Sequence, residues 1–319
     1  MTPGGPPVAE WRLDRGALSL RVLELAAGHG PPVVCLHGFL DQAAAWTEVA
    51  AAIPGRRILA LDQRGFGRSD PTPAGTGTHF PDYVADLDAL VEALGGGPID
   101  LVGHSMGGTV AGWYAGARPD RVRRLCLVEG LGPMAPGEDS ALDRLRLYLD
   151  GLRRPPRVPV LRDCEHAAAR LRRRHPGLSP ALARVLARQG TVPTADGARR
   201  WSFDRMHLVR SPTPFREAWF CEALAAITAP TLVVWATDGW YGDEVQARRV
   251  AAIGSVGGAP VRRRTLAGGH MLLYDNPVEL GRCIAAHLAA RFADPRQDGP
   301  EEGSGGGEGT GRAAIPRDR

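Results

Sequence analysis

The stretch Leu101-Val102-Gly103-His104-Ser105-Met106-Gly107-Gly108 indicates the fold. The apolar run 98–102 predicts a buried strand leading into it, and the run 109–115 after it favours a helix. A strand that turns this sharply into a helix strains its middle residue, and the flanking glycines let neighbouring backbone pass without a Cβ clash. Ser105 is then exposed at the tip of the turn, where a helix N-terminus favours negative charge. The simpler alternative is a glycine-rich turn whose serine caps the helix.

The composition is typical of an ordinary globular protein. The 319 residues, with a hydrophobic fraction of 44% and a charged fraction of 23%, can form one large domain or one domain with an insertion. No apolar run approaches the roughly 20 residues that a membrane span requires, so we expect no membrane association. The N-terminus lacks a basic start followed by an apolar core, and we therefore expect a cytoplasmic location.

The cysteines and arginines limit the ligands. The five cysteines are scattered and lack metal-ligand spacing, which fits a reduced compartment and predicts no metal site. All 39 basic residues are arginine, and a net charge of +4 is too small to indicate nucleic-acid binding. Arginines cluster within 144–174. They indicate the solvated faces of helices or, alternatively, the attraction of acidic substrates or partners.

Short apolar runs alternate with helical patterns along most of the chain. A looser alternation of polar and apolar residues over 11–25 suggests an antiparallel hairpin strand. The alternation of strands and helices predicts an α/β fold, with a mostly parallel sheet covered on both faces. Buried strands are predicted at 33–36, 57–61, 98–102, 123–128 and 231–235, and the last strand is predicted at 261–266.

The strand–helix alternation is interrupted by a segment that we interpret as a helical cap over residues 133–215, with no convincing strand. The core then comprises residues 1–132 and 216–295, and the glycine-rich tail 296–319 is predicted to be disordered. Aromatic residues of the cap could line a substrate pocket or, alternatively, form the seam between cap and core. They are Trp201, Phe203 and Phe215.

A serine hydroxyl is a weak nucleophile that needs a base, and the base needs a third group to orient it. The candidate base is His270, because it follows the last predicted strand and loops gather at the carboxyl ends of a parallel sheet. His37 and His104 compete for this role, but their neighbours in sequence indicate residues that are structural or that shape the oxyanion hole.

Backbone donors would have to stabilise the anion that forms on a substrate carbonyl. The residue after the serine, Met106, can supply one N–H group, and Phe39, in the loop after the 33–36 strand, can supply the other.

Four motifs in this order resemble those of the α/β-hydrolase superfamily, over about residues 11–293. The resemblance implies an eight-stranded, mostly parallel sheet with a helical cap inserted after the sixth strand. The hydrolase reaction that it implies requires no cofactor. The motifs are His37-Gly38-Phe39, Asp62-x-Arg64-Gly65-x-Gly67-x-Ser69, Gly103-His104-Ser105-Met106-Gly107-Gly108 and Gly269-His270.

The third group departs from the commonest family pattern. Family members usually carry Asp at the end of a Trp-Gly-x-x-Asp run beyond the seventh strand, where this sequence has Gly239, with Asp238 one residue early. One haloalkane dehalogenase subgroup instead carries Glu at the end of the sixth strand, and Glu129 matches that position. We prefer Glu129, because a carboxylate that ends a buried strand needs a partner and His270 would supply one. Asp238 is the alternative acid, and a salt bridge anchoring the cap is the alternative role of Glu129.

The dehalogenases use Asp as nucleophile, so Ser105 favours ester or amide chemistry instead. The resemblance to serine-hydrolase-like proteins implies a serine hydrolase that forms an acyl-enzyme with a small-molecule ester, lactone or thioester. The alternatives are a ligand-binding receptor with little turnover, an acyltransferase and a carbon–carbon bond hydrolase.

Overall fold

The computed structural model describes residues 8–73, 77–133, 140–240 and 243–292. Their main element is an eight-stranded sheet in the order β1-β2-β4-β3-β5-β6-β10-β11, and a second sheet has the order β7-β9-β8. The strands are β1 Ala9–Asp14, β2 Ser19–Ala26, β3 Val33–Leu36, β4 Ile58–Leu61, β5 Ile99–His104, β6 Val122–Val128, β7 Val160–Leu161, β8 Thr191–Pro193, β9 Arg199–Trp201, β10 Thr231–Asp238 and β11 Val261–Gly269.

The main sheet is mostly parallel, as predicted. Only β2 runs antiparallel to its neighbours, β1 and β4, which confirms the predicted antiparallel hairpin. The carboxyl ends of the mutually parallel strands therefore lie at one edge of the sheet. These strands are β4, β3, β5, β6, β10 and β11. The connecting loops gather at that edge.

Helices cover both faces of the main sheet. Successive residues of β3 alternate between two buried clusters, since Val33 and Cys35 pack in one and Val34 and Leu36 in the other. This double burial explains why central strands such as β3 and β4 are continuous apolar runs. The helices are α1 Thr47–Ala51, α2 Phe80–Ala93, α3 Met106–Ala117, α4 Ala141–Arg153, α5 Cys164–Arg174, α6 Pro180–Gln189, α7 Glu217–Ala225, α8 Asp243–Ala252, α9 Leu272–Asp275 and α10 Pro277–Ala289.

The described part of the segment between β6 and β10 contains helices, as predicted, but it also contains the small sheet β7-β9-β8. The prediction that it has no strand was wrong. These strands are two or three residues long and include the polar pair Arg199-Arg200, so they show no alternating pattern in the sequence. The division into core and cap stays a prediction. The tail 296–319, predicted to be disordered, lies outside the described residues.

The loop after β4 is held by buried ion pairs. Asp62 lies 2.6 Å from the guanidinium group of Arg21, and neither side chain is accessible to solvent. The same carboxylate accepts hydrogen bonds from the backbone N–H groups of Ala43 and Arg68. Arg64 forms two hydrogen bonds with Asp86. These contacts pair the buried charges with groups of opposite charge, and this agrees with a structural role.

No helix in the part of the chain that the structure describes combines the length and the hydropathy needed to cross a membrane.

Candidate active site

Ser105 stands between the end of β5 and the start of α3, at the tip of a sharp turn. Its φ of 53° is in the left-handed region, which costs a residue other than glycine roughly 1–3 kcal/mol. The turn is held on both sides. The Ser105 N–H donates to the carbonyl oxygen of Val128 at 3.0 Å, and the Ser105 carbonyl accepts from the N–H of Thr109 at 3.1 Å.

The glycines of the turn permit close backbone approach. A Cβ on Gly103 would collide with the carbonyl oxygen of Gly107, and a Cβ on Gly107 would collide with that of Leu36. Because these obstacles are backbone atoms, no side-chain movement could relieve the overlap. The packing of α3 against β3 and β5 therefore requires glycine at both positions.

His270 connects Ser105 to a buried carboxylate. Its Nε2 lies 2.9 Å from Oγ of Ser105, and its Nδ1 lies 3.0 Å from Oε2 of Glu129. Since a carboxylate only accepts hydrogen bonds, Nδ1–H donates to Glu129 and Nε2 is free to accept the serine proton. His270 is 6% exposed and Glu129 is fully buried. The structure thus brings the three predicted residues together.

Glu129 follows β6 directly, with a φ of 46°. Two backbone donors reach its carboxylate from β10 and the loop that follows it. The N–H of Ala236 donates to Oε1 at 2.8 Å, and the N–H of Trp240 donates to Oε2 at 3.4 Å. These bonds and the one from His270 compensate for burying the charge, and they fix the position of the carboxylate.

Asp238, the alternative acid, ends β10 as an exposed residue. Its carboxylate accepts a hydrogen bond from the hydroxyl of Thr237 at 3.2 Å. A Cβ on the next residue, Gly239, would lie 2.5 Å from Oε1 of Glu129. Glu129, rather than Asp238, is therefore the carboxylate that the structure places on His270.

The two predicted backbone donors lie beside Ser105. Met106 is the first residue of α3, so its N–H has no partner within the helix. Gly38 packs on the serine turn, since a Cβ there would lie 2.9 Å from Nδ1 of His104 and 3.2 Å from Cβ of Ser105. That contact brings the following residue, Phe39, to the same cavity as Met106 and Ser105. Their role as donors to a substrate stays a prediction.

The two histidines that competed with His270 for the role of base, His37 and His104, are buried and structural. His104 donates from Nε2 to the backbone carbonyl of His270 at 2.9 Å, and burial lowers its pKa to about 3. His37 accepts the backbone N–H of Gln63 at Nε2 and contacts the carbonyl of Gly38 through Nδ1. Burial also lowers the pKa of His37. Both rings are neutral and hold loops at the edge of the sheet.

The sequence did not predict one residue that lies beside His270, namely Trp240. The indole ring of Trp240 stacks on the imidazole of His270, with centroids 3.7 Å apart and planes inclined by 6°. This contact depends on the path of the loop after β10, for which the sequence carries no periodic signal. The stacked indole covers one face of His270 and limits rotation of the ring.

Two cavities meet at Ser105. The larger, of about 1400 Å³, includes Met106, Trp113 and Phe215 in its lining, and we call it the aromatic cavity. The smaller, of about 870 Å³, includes His270 together with Arg170, Arg173 and Arg174, and we call it the arginine chamber.

The predicted aromatic residues divide between these cavities. Phe215 lines the aromatic cavity, whereas Trp201 and Phe203 line the arginine chamber. All three also pack on the buried clusters of the core, so they belong to the seam as well as to the cavities. Among the described residues, no group of three or more His, Cys, Asp or Glu side chains could hold a metal ion.

Known proteins resemble the chain in sequence and structure. Over 125 residues (39% of this chain) it is 36% identical to a serine hydrolase-like protein of Danio rerio, covering 38% of that protein. Over 189 residues (59% of this chain) it is 30% identical to the 2-(acetamidomethylene)succinate hydrolase of Mesorhizobium japonicum, covering 64% of it. The solved thioesterase domain from the curacin biosynthetic pathway superposes with a TM-score of 0.79 and 32% identity, over 86% of this chain and 98% of that domain.

A family model agrees with these similarities over most of the chain. Residues 31–277 match the model of the alpha/beta hydrolase fold, and this range extends from the start of β3 to the start of α10. It contains the serine turn, Glu129 and His270. The chain belongs to the α/β-hydrolase fold family.

Proposed function

We propose that the protein is a serine hydrolase that cleaves an ester-like bond of a small molecule, a carboxylic ester, lactone or thioester, through an acyl-enzyme on Ser105. The observation that carries this proposal is the continuous chain of contacts from Oγ of Ser105 through His270 to the buried Glu129, with distances of 2.9 and 3.0 Å. In this arrangement a weak nucleophile has a base, and the base has a fixed tautomer.

In the first half of the reaction, Oγ of Ser105 attacks the substrate carbonyl while its proton moves to Nε2 of His270. The carbonyl oxygen becomes an anion, which accepts hydrogen bonds from the N–H groups of Phe39 and Met106. Glu129 stabilises the imidazolium through Nδ1–H. The imidazolium then donates its proton to the leaving group, the bond from the carbonyl carbon to that group breaks, and the acyl group stays on Ser105.

In the second half, water attacks the acyl carbonyl and gives a proton to His270. The second tetrahedral anion collapses, the bond to Oγ breaks, and His270 returns the proton to Ser105. The products are a carboxylic acid and the free enzyme. No step requires a metal or an organic cofactor, since the charges that form are met by backbone N–H groups and by the His270–Glu129 pair.

The similar proteins support this chemistry by their names. A thioesterase domain and a succinate-derivative hydrolase are both named for hydrolysis, and the first is named for cleavage of an acyl–sulfur bond. Neither name identifies the substrate of this chain. The aromatic lining of the larger cavity supports an apolar acyl group.

The experiment combines turnover with active-site labelling. We expect wild type to hydrolyse p-nitrophenyl esters and a fluorophosphonate to label Ser105, as located by peptide mass spectrometry. Ser105→Ala should abolish both results, whereas Ser255→Ala, at an exposed serine, should leave both unchanged.

Other outcomes would contradict the proposal. Ligand binding without labelling or turnover would favour a receptor. Acyl transfer to an added alcohol or amine in preference to water would favour an acyltransferase. Cleavage of a β-diketone with no cleavage of esters would favour a carbon–carbon bond hydrolase.

A further inference from the structure

We propose that the substrate is an acyl ester or thioester whose leaving group is anionic, with this leaving group in the arginine chamber and the acyl group in the aromatic cavity. The proposal rests on the proposed function, and it adds the class of substrate and the direction in which the substrate binds.

The direction follows from the proton that the leaving group must receive. The leaving atom has to lie within hydrogen-bond reach of Nε2 of His270, because this nitrogen supplies the proton. Of the two cavities at Ser105, the arginine chamber is the one that His270 lines. Met106, whose N–H would stabilise the carbonyl oxygen, lines the aromatic cavity. The scissile bond therefore spans the junction, with the leaving group on the chamber side.

The charge of the chamber indicates the chemistry of the leaving group. Arg170, Arg173 and Arg174 belong to the last turns of α5 and face the chamber together. No carboxylate of the described residues forms an ion pair with any of the three. Other arginines of the protein do have such partners, as the buried pair of Arg21 and Asp62 shows. The chamber thus offers guanidinium groups to a ligand, and guanidinium groups bind phosphate and carboxylate.

The acidic groups of the chamber offset this charge only in part. Asp41 accepts a hydrogen bond from the hydroxyl of Tyr274 at 2.7 Å, and burial raises its pKa to about 7, so this carboxyl is partly protonated at neutral pH. Asp275 accepts the N–H of Gly269 at 2.8 Å, and Asp238 accepts the hydroxyl of Thr237. His175 also lines the chamber, and burial lowers its pKa.

The opposite cavity has the complementary character. Most of its lining is aromatic and apolar, and its volume of about 1400 Å³ exceeds the usual range of about 300–1,000 Å³ for small-molecule pockets. Its arginines already have partners, since Arg118 lies 3.4 Å from Asp88, the guanidinium group of Arg216 lies over the ring of Trp219, and Arg144 and Arg210 make contacts of their own. An extended apolar acyl chain fits this space. A substrate with one apolar end and one anionic end therefore matches both sides of Ser105.

Matched thioesters with the same acyl chain test the proposal. Lauroyl-coenzyme A carries phosphates on its leaving thiol, S-lauroyl-3-mercaptopropionate carries one carboxylate, and S-lauroyl-N-acetylcysteamine is neutral. We expect wild type to prefer an anionic thioester over the neutral one by roughly tenfold in kcat/KM, because each exposed ion pair contributes modestly. The preference should decrease as salt concentration rises.

Removing the arginine charges tests whether the arginine chamber causes the preference for anionic thioesters. The triple variant Arg170→Gln/Arg173→Gln/Arg174→Gln should lose most of the preference, measured as the ratio of kcat/KM for each anionic thioester to that for the neutral one. The matched control is Arg172→Gln, since Arg172 is an exposed arginine of the same helix that does not line the chamber. This control should retain the preference. Thermal unfolding of each variant verifies that the fold is intact.

The outcomes separate this inference from the proposed function. Preference for both anionic thioesters supports recognition of anions in general, and preference for coenzyme A alone supports recognition of phosphate. Equal kcat/KM for the charged and neutral thioesters, or a triple variant that keeps the preference, overturns the inference but leaves the hydrolase proposal standing. Failure of wild type to hydrolyse the neutral thioester and p-nitrophenyl esters would overturn the proposed function itself.

Discussion

A Cβ built on Gly239 would lie 2.5 Å from Oε1 and 2.8 Å from Oε2 of Glu129. The carboxylate that contacts His270 thus fills the volume into which a side chain at position 239 would extend. The resemblance to the α/β-hydrolase superfamily implies the acidic residue at that position, so the two possible positions of the acid compete for one space. β10 and the loop after it instead supply donors to the carboxylate, from the N–H groups of Ala236 and Trp240.

The overlap predicts that the acid can be moved. We expect Glu129→Gly to lower kcat on p-nitrophenyl esters by about 10³–10⁴-fold, because His270 loses its orienting partner. Adding Gly239→Asp should recover about tenfold or more, since the new carboxylate enters the vacated space. Gly239→Asp alone should impair activity by colliding with Glu129. A double variant no faster than Glu129→Gly would contradict this prediction.

The choice of acid can be tested without moving it. Glu129→Gln should lower kcat by about 10⁴-fold, because a neutral amide neither fixes the tautomer with the proton on Nδ1 nor stabilises the imidazolium by its charge. The matched change Asp238→Asn should leave kcat within about twofold of wild type, since this exposed side chain bonds to Thr237. Steady-state kinetics on one p-nitrophenyl ester compares the two variants. The reverse result would identify Asp238 as the acid.

The serine turn predicts a sharp difference between two glycines. Gly103→Ala should lower the free energy of unfolding by about 1–3 kcal/mol or more, because its Cβ would overlap the backbone of Gly107. Gly97→Ala is the control, since a Cβ there meets nothing within 4 Å. Urea unfolding measures both variants. Equal stability of the two would show that the close approach at Gly103 is not required.

His287 predicts a pH dependence of stability. Burial lowers its pKa from 6.5 to about 4, while Nε2 donates to the carbonyl of Pro230. As the pH falls, the imidazole of His287 therefore binds a proton in the unfolded chain before it does so in the folded protein. The free energy of unfolding decreases between about pH 6.5 and 4, by up to about 3 kcal/mol from this group. Well above pH 6.5 His287 is neutral in both states, and the effect vanishes.

The matching variant is His287→Gln, which keeps a donor but cannot titrate. Its unfolding free energy, measured in urea from pH 7 to pH 4, should fall less steeply than that of wild type. His29→Gln, at an exposed position, should keep the wild-type slope. An unchanged slope in His287→Gln would mean that the pKa of His287 is the same in the folded and the unfolded protein.

The sequence was informative where the signal is local or follows from topology. The apolar runs predicted β3, β4, β5, β6 and β10 within a few residues, because a strand buried on both faces needs apolar residues along most of its length. His270 and Glu129 could be placed near Ser105, since all three follow strands that end at one edge of a parallel sheet. The contacts among their side chains agree with that placement, and their catalytic roles stay predictions.

Features that depend on tertiary packing could not be predicted. The strands β7, β8 and β9 are too short for a pattern, and they form only because the chain brings them together. The stacking of Trp240 on His270 depends on the path of one loop. The arginine cluster was visible in the sequence, but which of its members face a cavity was not. Arg173 lines the chamber, whereas its neighbour Arg172 does not.

The position of Ser105 at the junction of two cavities has a consequence for the end of the reaction. In the proposed mechanism, departure of the leaving group empties the space beside His270 while the acyl chain still fills the opposite side. The second nucleophile must then arrive by the route that the first product has just left. The walls of one chamber would thus govern both halves of the catalytic cycle, selecting the group that departs and the molecule that replaces it.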